Sequence, residues 1–260
     1  MAALQIALVR EGVYTGAVDG VAGPRTRAAV RRLQARDGLA VDGIVGPRTR
    51  WALGAFARHR PGTRLLRIGD RGWDVAEVQF ALAWDGYPSG AFDGCFGPHV
   101  AGAVRRFQRE RRLRVDGVIG PRTLAALRER PALPRVRLRW PVDARLGDGF
   151  APRGDRFHAG IDLLAPAGTP VEAAAPGRVV WSGGRDGWGL LVTIADGGGI
   201  RTLYAHLETV RVRLGERVAA GAVVGRVGAT GDATGPHLHF EVRVRGAAVD
   251  PLPLLGEARG

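Results

Sequence analysis

The sequence contains no lysine and no asparagine, and its 260 residues include one cysteine and one methionine. The single cysteine excludes an internal disulfide and a thiolate metal cluster within the chain. No run of apolar residues approaches the roughly 20 that a membrane-spanning helix requires, so membrane insertion is not expected. All 38 basic residues are arginines, and the formal net charge is +13.

This positive charge is compatible with nucleic acid or with an anionic surface such as a bacterial cell wall. Because lysine is wholly absent, the arginine excess is typical of genome composition rather than of a selected nucleic-acid-binding face. The arginines are also scattered along the whole chain. We therefore do not expect nucleic acid as a partner, and weak attraction to an acidic wall polymer is the better interpretation.

The first half of the chain is an internal repeat. The stretch AVDGVAGPRTRAAVRRLQ begins at Ala17, and AFDGCFGPHVAGAVRRFQ begins at Ala91, 74 residues later. Each unit contains the phrase DG-x-x-GP twice, in which Asp-Gly favours a turn and Gly-Pro favours the start of a helix. Apolar residues at helical spacing follow each phrase. The sequence predicts two small three-helix bundles, over residues 1–55 and 65–129.

These repeats resemble the peptidoglycan-binding three-helix module often attached to bacterial wall hydrolases. The resemblance rests on the paired DG-x-x-GP phrases and on AV-x-x-(L/F)Q, and it implies peptidoglycan as a partner. A helical spacer without a ligand is the alternative. The second repeat has a lead-in, LLRIGDRGWDVAEVQ, that the first lacks. We therefore expect a trimmed N-terminus, from a protein with a removed signal peptide or from a phage lysin.

The pattern changes after a Pro- and Arg-rich linker at residues 130–139. Short β-type runs separated by Gly-rich turns fill residues 140–256. We expect this domain to be all-β and antiparallel. The predicted fold class is therefore multidomain α+β, with two small helical bundles followed by the β-domain.

Four of the six histidines lie in the β-domain. His237 and His239 are two residues apart on a predicted strand, so their side chains should share a face. In RFHAGIDLLAP the same spacing joins His158 to Asp162 through Gly160, which leaves room close to the backbone. Tyr204 and His206 are again two apart, so three strands are expected to present these groups to one groove.

One aspartate and two histidines would suit zinc, which binds imidazole nitrogen and carboxylate oxygen and keeps one position for water at catalytic sites. The remaining histidines would then orient that water and move its proton. The alternative for each histidine is a hydrogen-bonded structural role. The spacing alone does not decide which histidines are ligands.

The motifs HAGIDL, LYAHL and TGPHLHFEV resemble the three signatures of the lysostaphin-type zinc endopeptidases of bacterial walls. The resemblance covers essentially all of residues 140–256. It implies one zinc ion per chain, bound by His158, Asp162 and His239, with His206 and His237 as catalytic histidines.

Three further residues have open interpretations. Tyr204 is either a substrate contact or a core aromatic with its hydroxyl at the rim. Trp188 either lines the groove as a substrate contact or packs in the domain. Glu241 is either a contact to a ligand histidine or, in our preferred interpretation, a surface charge.

The resemblance implies a zinc endopeptidase that cuts peptide bonds in peptidoglycan, in cross-bridges or stem peptides, at the bacterial cell wall or outside the cell. Two rival classes remain. A non-catalytic wall-binding protein or hydrolase activator should lack one or more metal ligands, and this sequence lacks none. A nucleic-acid-binding protein has only net charge in its favour. Oligomeric state cannot be deduced from the sequence.

Overall fold

A computed structural model describes residues 1–59, 62–129, 136–154 and 156–256. The chain divides into two compact units, one formed by Met1–Pro131 with Ala151–Phe157 and the other by Ala132–Phe150 with His158–Gly260. Of the predicted linker, residues 130–135 lie outside the described residues. Leu138 is buried in the core of the second unit. No helix in the described part of the chain is long and apolar enough to cross a membrane.

The first unit contains six α-helices, three in each repeat. They are α1 (Ala2–Arg10), α2 (Pro24–Arg36), α3 (Pro47–Ala52), α4 (Trp73–Trp84), α5 (Pro98–Glu110) and α6 (Pro121–Ala126), with a 3₁₀ turn at Gly54–Ala57. Four of these helices begin at the proline of a DG-x-x-GP phrase, directly after its glycine. Proline suits this position because its missing N–H has no intrahelical partner there and its φ is already helical.

A buried glutamine holds each DG-x-x-GP phrase against a helix. The amide nitrogen of each glutamine donates to the aspartate, in the pairs Gln5–Asp19, Gln34–Asp42, Gln79–Asp93 and Gln108–Asp116, at 2.6 to 2.8 Å. The amide oxygen of each glutamine accepts a hydrogen bond from the N–H of the glycine that directly follows the aspartate. These buried polar groups are therefore satisfied, and the same network fixes four loops in equivalent conformations.

The two repeats share part of their core. Helices α1 and α4 pack together, and one cluster joins Ala3 and Ile6 of the first repeat to Ala76 and Ala83 of the second. The expected helical half is confirmed, whereas its division into two separate bundles is not. Burying α1 against α4 supplies apolar contacts that a bundle of about 55 residues alone would lack.

The second unit is built on an antiparallel β-sheet, as predicted. The strands of the chain are β1 (Arg145–Leu146), β2 (Ala151–Arg153), β3 (Arg156–His158), β4 (Ile161–Leu164), β5 (Pro170–Glu172), β6 (Gly177–Arg185), β7 (Gly189–Ala195), β8 (Ile200–Val210), β9 (Arg217–Val218), β10 (Val223–Val227), β11 (Leu238–Val244) and β12 (Ala247–Val249). The main sheet runs in the order β1-β4-β11-β8-β7-β6-β9, with β10 on β8 and β5, and β12 on β11. Strands β2 and β3 form a separate two-stranded sheet.

Strand β11 lies between β4 and β8 and is buried over most of its length. Its alternation sends Leu238, Phe240 and Val242 into the main core. His239 and Glu241 therefore point to the opposite face of the sheet. Buried polar side chains require hydrogen-bond or ionic partners. The partners of His239 and Glu241 therefore locate the candidate functional site.

Candidate metal and catalytic site

The side chains of His158, Asp162 and His239 converge on one point. Asp162 on β4 is the direct cross-strand partner of His239 on β11, and His158 ends β3. His158 Nε2 lies 3.0 Å from Asp162 Oδ1 and 2.9 Å from His239 Nδ1. His239 Nδ1 lies 2.9 Å from the same carboxylate oxygen. All three side chains are buried, and their three potential metal-binding atoms lie within 4.8 Å of one another.

Gly160 makes this convergence possible, as the sequence predicts. A Cβ at this position would collide with the carbonyl oxygen of Phe240 and would lie 3.0 Å from Cε1 of His239. Strand β4 therefore approaches β11 closely only because residue 160 has no side chain.

The partner of each ring determines which nitrogen is free. His158 Nδ1 lies 2.8 Å from the carbonyl oxygen of Gly149, which can only accept, so Nδ1 carries the proton and Nε2 keeps its lone pair. His239 has the reverse arrangement, with Nε2 at 3.4 Å from Glu241 Oε1 and Nδ1 directed at Asp162. Both histidines thus present a lone pair to the same point, which a shared cation requires.

Glu241 corrects our expectation of a surface charge. Its side chain is 2% exposed, and Arg243 donates to it at 2.8 Å. Burial alone would raise the pKa of Glu241, but its contacts with His239 and Arg243 lower it. The residue is an ionised, buried carboxylate behind His239. The alternation of β11 places it there, but the burial of this part of the strand could not be deduced from its sequence.

The charges of the cluster reinforce one another. Burial alone would raise the pKa of Asp162, yet close contact with the imidazoles of His158 and His239 holds it well below its ordinary value. Burial alone would lower the pKa of His239, yet its hydrogen bonds to Asp162 and Glu241 raise it. Asp162 is therefore an anion under all ordinary conditions, which suits a ligand for a divalent cation.

His206 lies beside this cluster, on β8. Its ring centroid is 4.9 Å from that of His237 and 5.8 Å from that of His239. Its Nδ1 lies 2.8 Å from the carbonyl oxygen of Thr230, so Nε2 keeps its lone pair. Burial lowers the pKa of His206, although the hydrogen bond to Thr230 opposes this shift. The imidazole is therefore neutral near neutral pH and can accept a proton.

His237 occupies the entry to β11 and is more exposed than the three clustered residues. Its Nδ1 lies 2.9 Å from the carbonyl oxygen of Gly235. Its Nε2 lies 3.7 Å from Oδ1 of Asp162. The structure thus brings together all five histidine and aspartate residues that the sequence singled out, with three buried at the centre and two beside them.

Tyr204 does not reach this site, which corrects its assignment as a substrate contact. It is fully buried, and its hydroxyl accepts from the N–H of Ala174 at 2.7 Å and donates to Thr202 at 3.0 Å. Trp188 does lie at the site, with its ring 5.4 Å from that of His239 and the guanidinium of Arg243 over it at 5.9 Å. A substrate contact by Trp188 remains a prediction.

Residues 156–251 match the sequence profile described as Peptidase family M23. The C-terminal domain belongs to peptidase family M23. Residues 1–53 and 71–127 match the profile described as "Putative peptidoglycan binding domain". The chain therefore combines an M23 domain with two regions that match a putative peptidoglycan-binding domain, as the resemblances implied.

Individual relatives match only in part. The chain is 47% identical over 97 residues to the DD-carboxypeptidase/endopeptidase Mpg of Neisseria meningitidis serogroup B, covering 37% of this chain and 22% of that protein. It is 36% identical over 127 residues to the murein hydrolase activator EnvC of Escherichia coli, and the match covers 47% of this chain and 30% of EnvC. Among solved structures, lysostaphin from Staphylococcus simulans is 34% identical with a TM-score of 0.44, covering 50% of this chain and 58% of that one. The chain thus spans less than a third of the length of these two curated relatives.

Sequence reasoning missed the outer partners of the M23 site. The backbone carbonyls of Gly149, Thr230 and Gly235 each fix one histidine ring. No side-chain pattern reveals a carbonyl partner, because every residue carries one. The pairing of Glu241 with Arg243 was detectable in principle, since the two residues alternate with His239 on one strand.

Proposed function

We propose that this chain is a zinc-dependent endopeptidase that hydrolyses peptide bonds of peptidoglycan. The convergence of His158, Asp162 and His239, with His206 and His237 beside them, carries the proposal. Two imidazole nitrogens and one carboxylate oxygen are a donor set typical of catalytic zinc. The outer contacts of His158 and His239 already leave the correct nitrogen free, so the residues fit the ion without a change of tautomer.

A zinc ion held by these three residues would supply Lewis acidity and lower the pKa of water toward neutrality. The side chains of the domain would do the remaining work. His206, neutral and with Nε2 free, would accept a proton during attack on the scissile carbonyl. A proton on Nε2 of His237 would form a hydrogen bond to the developing oxyanion, and His206 would return the proton that it accepted to the leaving amine.

The helical repeats, proposed over residues 1–55 and 65–129, would hold the M23 domain, proposed over 140–256, on insoluble substrate. Linked modules raise the effective concentration of an enzyme at its polymer without changing the active site. This function places the protein at the bacterial cell wall or outside the cell.

One specific observation favours a second candidate, an activator of another wall hydrolase. The relative EnvC is such an activator by name and is 36% identical to this chain. An activator needs no working metal site, whereas here five site residues and their outer partners are all in place. We therefore prefer the peptidase.

The deciding experiment is mass spectrometry of fragments released from purified cell walls, with and without a zinc chelator. We expect new peptide termini that disappear with chelator, and these termini would name the bond that is cut. The variant His239→Ala should lose zinc and activity but still co-sediment with walls. Full activity of that variant would overturn the ligand assignment. Wall binding without fragments from several wall types would instead favour the activator.

A further inference from the structure

Four arginines form a row across the main sheet of the M23 domain. Arg243 on β11 is the direct cross-strand partner of Arg201 on β8, and Arg178 on β6 is the direct partner of Arg217 on β9. Ala195 on β7 lies between the two pairs, because it is the cross-strand partner of both Arg201 and Arg178. The four basic residues, here called the arginine row, therefore follow one line across five neighbouring strands.

The arginine row lies on the same face of the sheet as the metal and catalytic site. Each arginine directly adjoins a residue of the main core, and these core residues are Val179, Ile200, Val218 and Val242. Because side chains alternate along a strand, all four arginines point to the face opposite that core. His239 points to this face too, four residues before Arg243 on β11. At the rise of a β-strand, the row crosses β11 about 13 Å from the proposed ligand.

One arginine of each pair is held in place by the domain. The guanidinium of Arg243 contacts the buried carboxylate of Glu241 at 2.8 Å and lies over the ring of Trp188 at 5.9 Å. Arg178 donates a hydrogen bond to the carbonyl oxygen of Gly215 at 2.6 Å. These two guanidinium groups are therefore oriented before any ligand binds.

The other arginine of each pair has no such contact. Arg201 and Arg217 are both exposed, and within the described ranges neither side chain forms an ion pair. Two acidic residues lie next to the row in sequence, but Asp196 and Glu216 accept backbone hydrogen bonds within their own loops. Glu241 is thus the carboxylate that balances one of the four charges.

The row is unfavourable without a bound anion. Like charges directly opposite each other on neighbouring strands destabilise a sheet, and the row contains two such pairs. A carboxylate between the two guanidinium groups of a pair would turn this repulsion into attraction. Arginine is suited to that ligand because its planar group forms two parallel hydrogen bonds with a carboxylate.

The separation of the two pairs indicates the size of the ligand. Their midpoints lie three strand spacings apart, which corresponds to about 14 Å. An extended peptide covers this distance in about four residues. Ala195 lies between the pairs, and its short side chain leaves room for a peptide backbone to pass over β7.

We propose that the arginine row binds an extended peptide of peptidoglycan through two free carboxylates. One carboxylate lies between Arg243 and Arg201, and the other lies between Arg178 and Arg217. The row thereby selects substrates whose acid groups are free rather than amidated. This inference rests on the proposed peptidase function and assigns a specificity to the surface beside its site.

The test compares two forms of one soluble wall peptide, with its carboxylates free and with the same groups converted to amides. The variants are Arg201→Gln, Arg217→Gln and the double variant, which remove the exposed arginine of each pair and leave the contacts of Arg243 and Arg178 in place. Arg211→Gln is the control, because it removes an exposed charge ten residues beyond Arg201 and outside the row. Calorimetry measures binding to the full chain in chelator, where the peptide stays intact. The kcat/KM of the zinc-loaded chain is measured separately.

We expect the wild type and the control to bind the free-acid peptide at least about tenfold more tightly than the amide, through charge-assisted hydrogen bonds. Each single variant should lose part of this preference, and the double variant should bind both forms about equally. The loss in kcat/KM should come mainly from KM, since the row does not touch the reacting bond.

Equal binding of the two peptides by the wild type would overturn the proposal, as would an unchanged preference in the double variant. Tighter binding of a polyphosphate chain than of the free-acid peptide, lost in the double variant, would also overturn it and would indicate a phosphate-bearing partner. A failed peptidase gives a different result, because the preference in chelator would persist while neither peptide is cleaved with zinc.

Discussion

Tyr204 and His206 lie two residues apart on β8, yet their side chains occupy opposite faces of the sheet. The ring of Tyr204 packs against Phe240 in the core at 5.4 Å, and the ring of His206 approaches His239 on the other face. The pairing of β7 with β8 shifts register between these positions, and His206 has a φ of +62°. A bulge therefore turns the histidine toward the site. A left-handed backbone costs a non-glycine residue about 1–3 kcal/mol, and such strain is concentrated at functional sites.

The variant His206→Ala should retain zinc and lose most turnover. His206 lies outside the buried trio that we propose to bind zinc, so its removal should leave that trio intact. Loss of a general base typically lowers turnover about 10²- to 10⁴-fold. Zinc content by elemental mass spectrometry and cleavage of a soluble peptide give the two readouts. A variant that loses its zinc would show that ligand and catalytic roles were assigned the wrong way round.

The same bulge shows where sequence reasoning stops. His237, His239 and Asp162 were predictable because regular alternation on two strands carries them to one face. The spacing of Tyr204 and His206 predicted a shared face, and it was right about the histidine but wrong about the tyrosine. A bulge adds one residue to the alternation of a strand, and the stretch TLYAHLETV contains no residue type that indicates a bulge. Histidine at a positive φ is uncommon, so the sequence favoured a regular strand.

The internal repeat was predictable in detail because the DG-x-x-GP phrases recur at a fixed offset. The packing of α1 against α4 was not predictable. Both helices are apolar on more than one side, and a sequence repeat does not show how its two copies contact each other.

Replacing Glu241 with Gln should weaken zinc binding about 10- to 100-fold, because outer carboxylates orient ligand histidines and raise their basicity. The amide keeps the shape of the side chain but leaves the charge of Arg243 without its partner. Zinc affinity is measured by competition with a chromogenic chelator. The matched control is Glu208→Gln, which alters an exposed carboxylate on β8. Equal zinc affinity in wild type and the Glu241 variant would mean that the buried ion pair is structural only.

The variant Gly160→Ala should lose both stability and zinc affinity. The added methyl would collide with the carbonyl of Phe240 and press on His239, so β4 and β11 must separate. Overpacking of a buried site typically costs about 1–3 kcal/mol. Thermal unfolding and chelator competition are measured together, with Gly184→Ala as the control because its Cβ would meet open space. A variant with normal zinc affinity would show that the metal site does not depend on close approach at this glycine.

The helical unit should lose stability in acid through its DG-x-x-GP loops. Hydrogen bonds from the N–H of Val118 and from Gln108 lower the pKa of Asp116. A folded-state pKa below the unfolded one gives stability that is present above about pH 4 and is lost as pH falls through the folded pKa. The variant Asp116→Asn should therefore melt at a lower temperature than wild type near neutral pH, and this gap should close in acid. The control Arg122→Gln removes an exposed charge from α6 and should keep the wild-type pH profile. The melting temperatures are measured from the helical signal in circular dichroism. If the difference in melting temperature between wild type and the variant persisted unchanged at low pH, Asp116 would stabilise the loop without its charge.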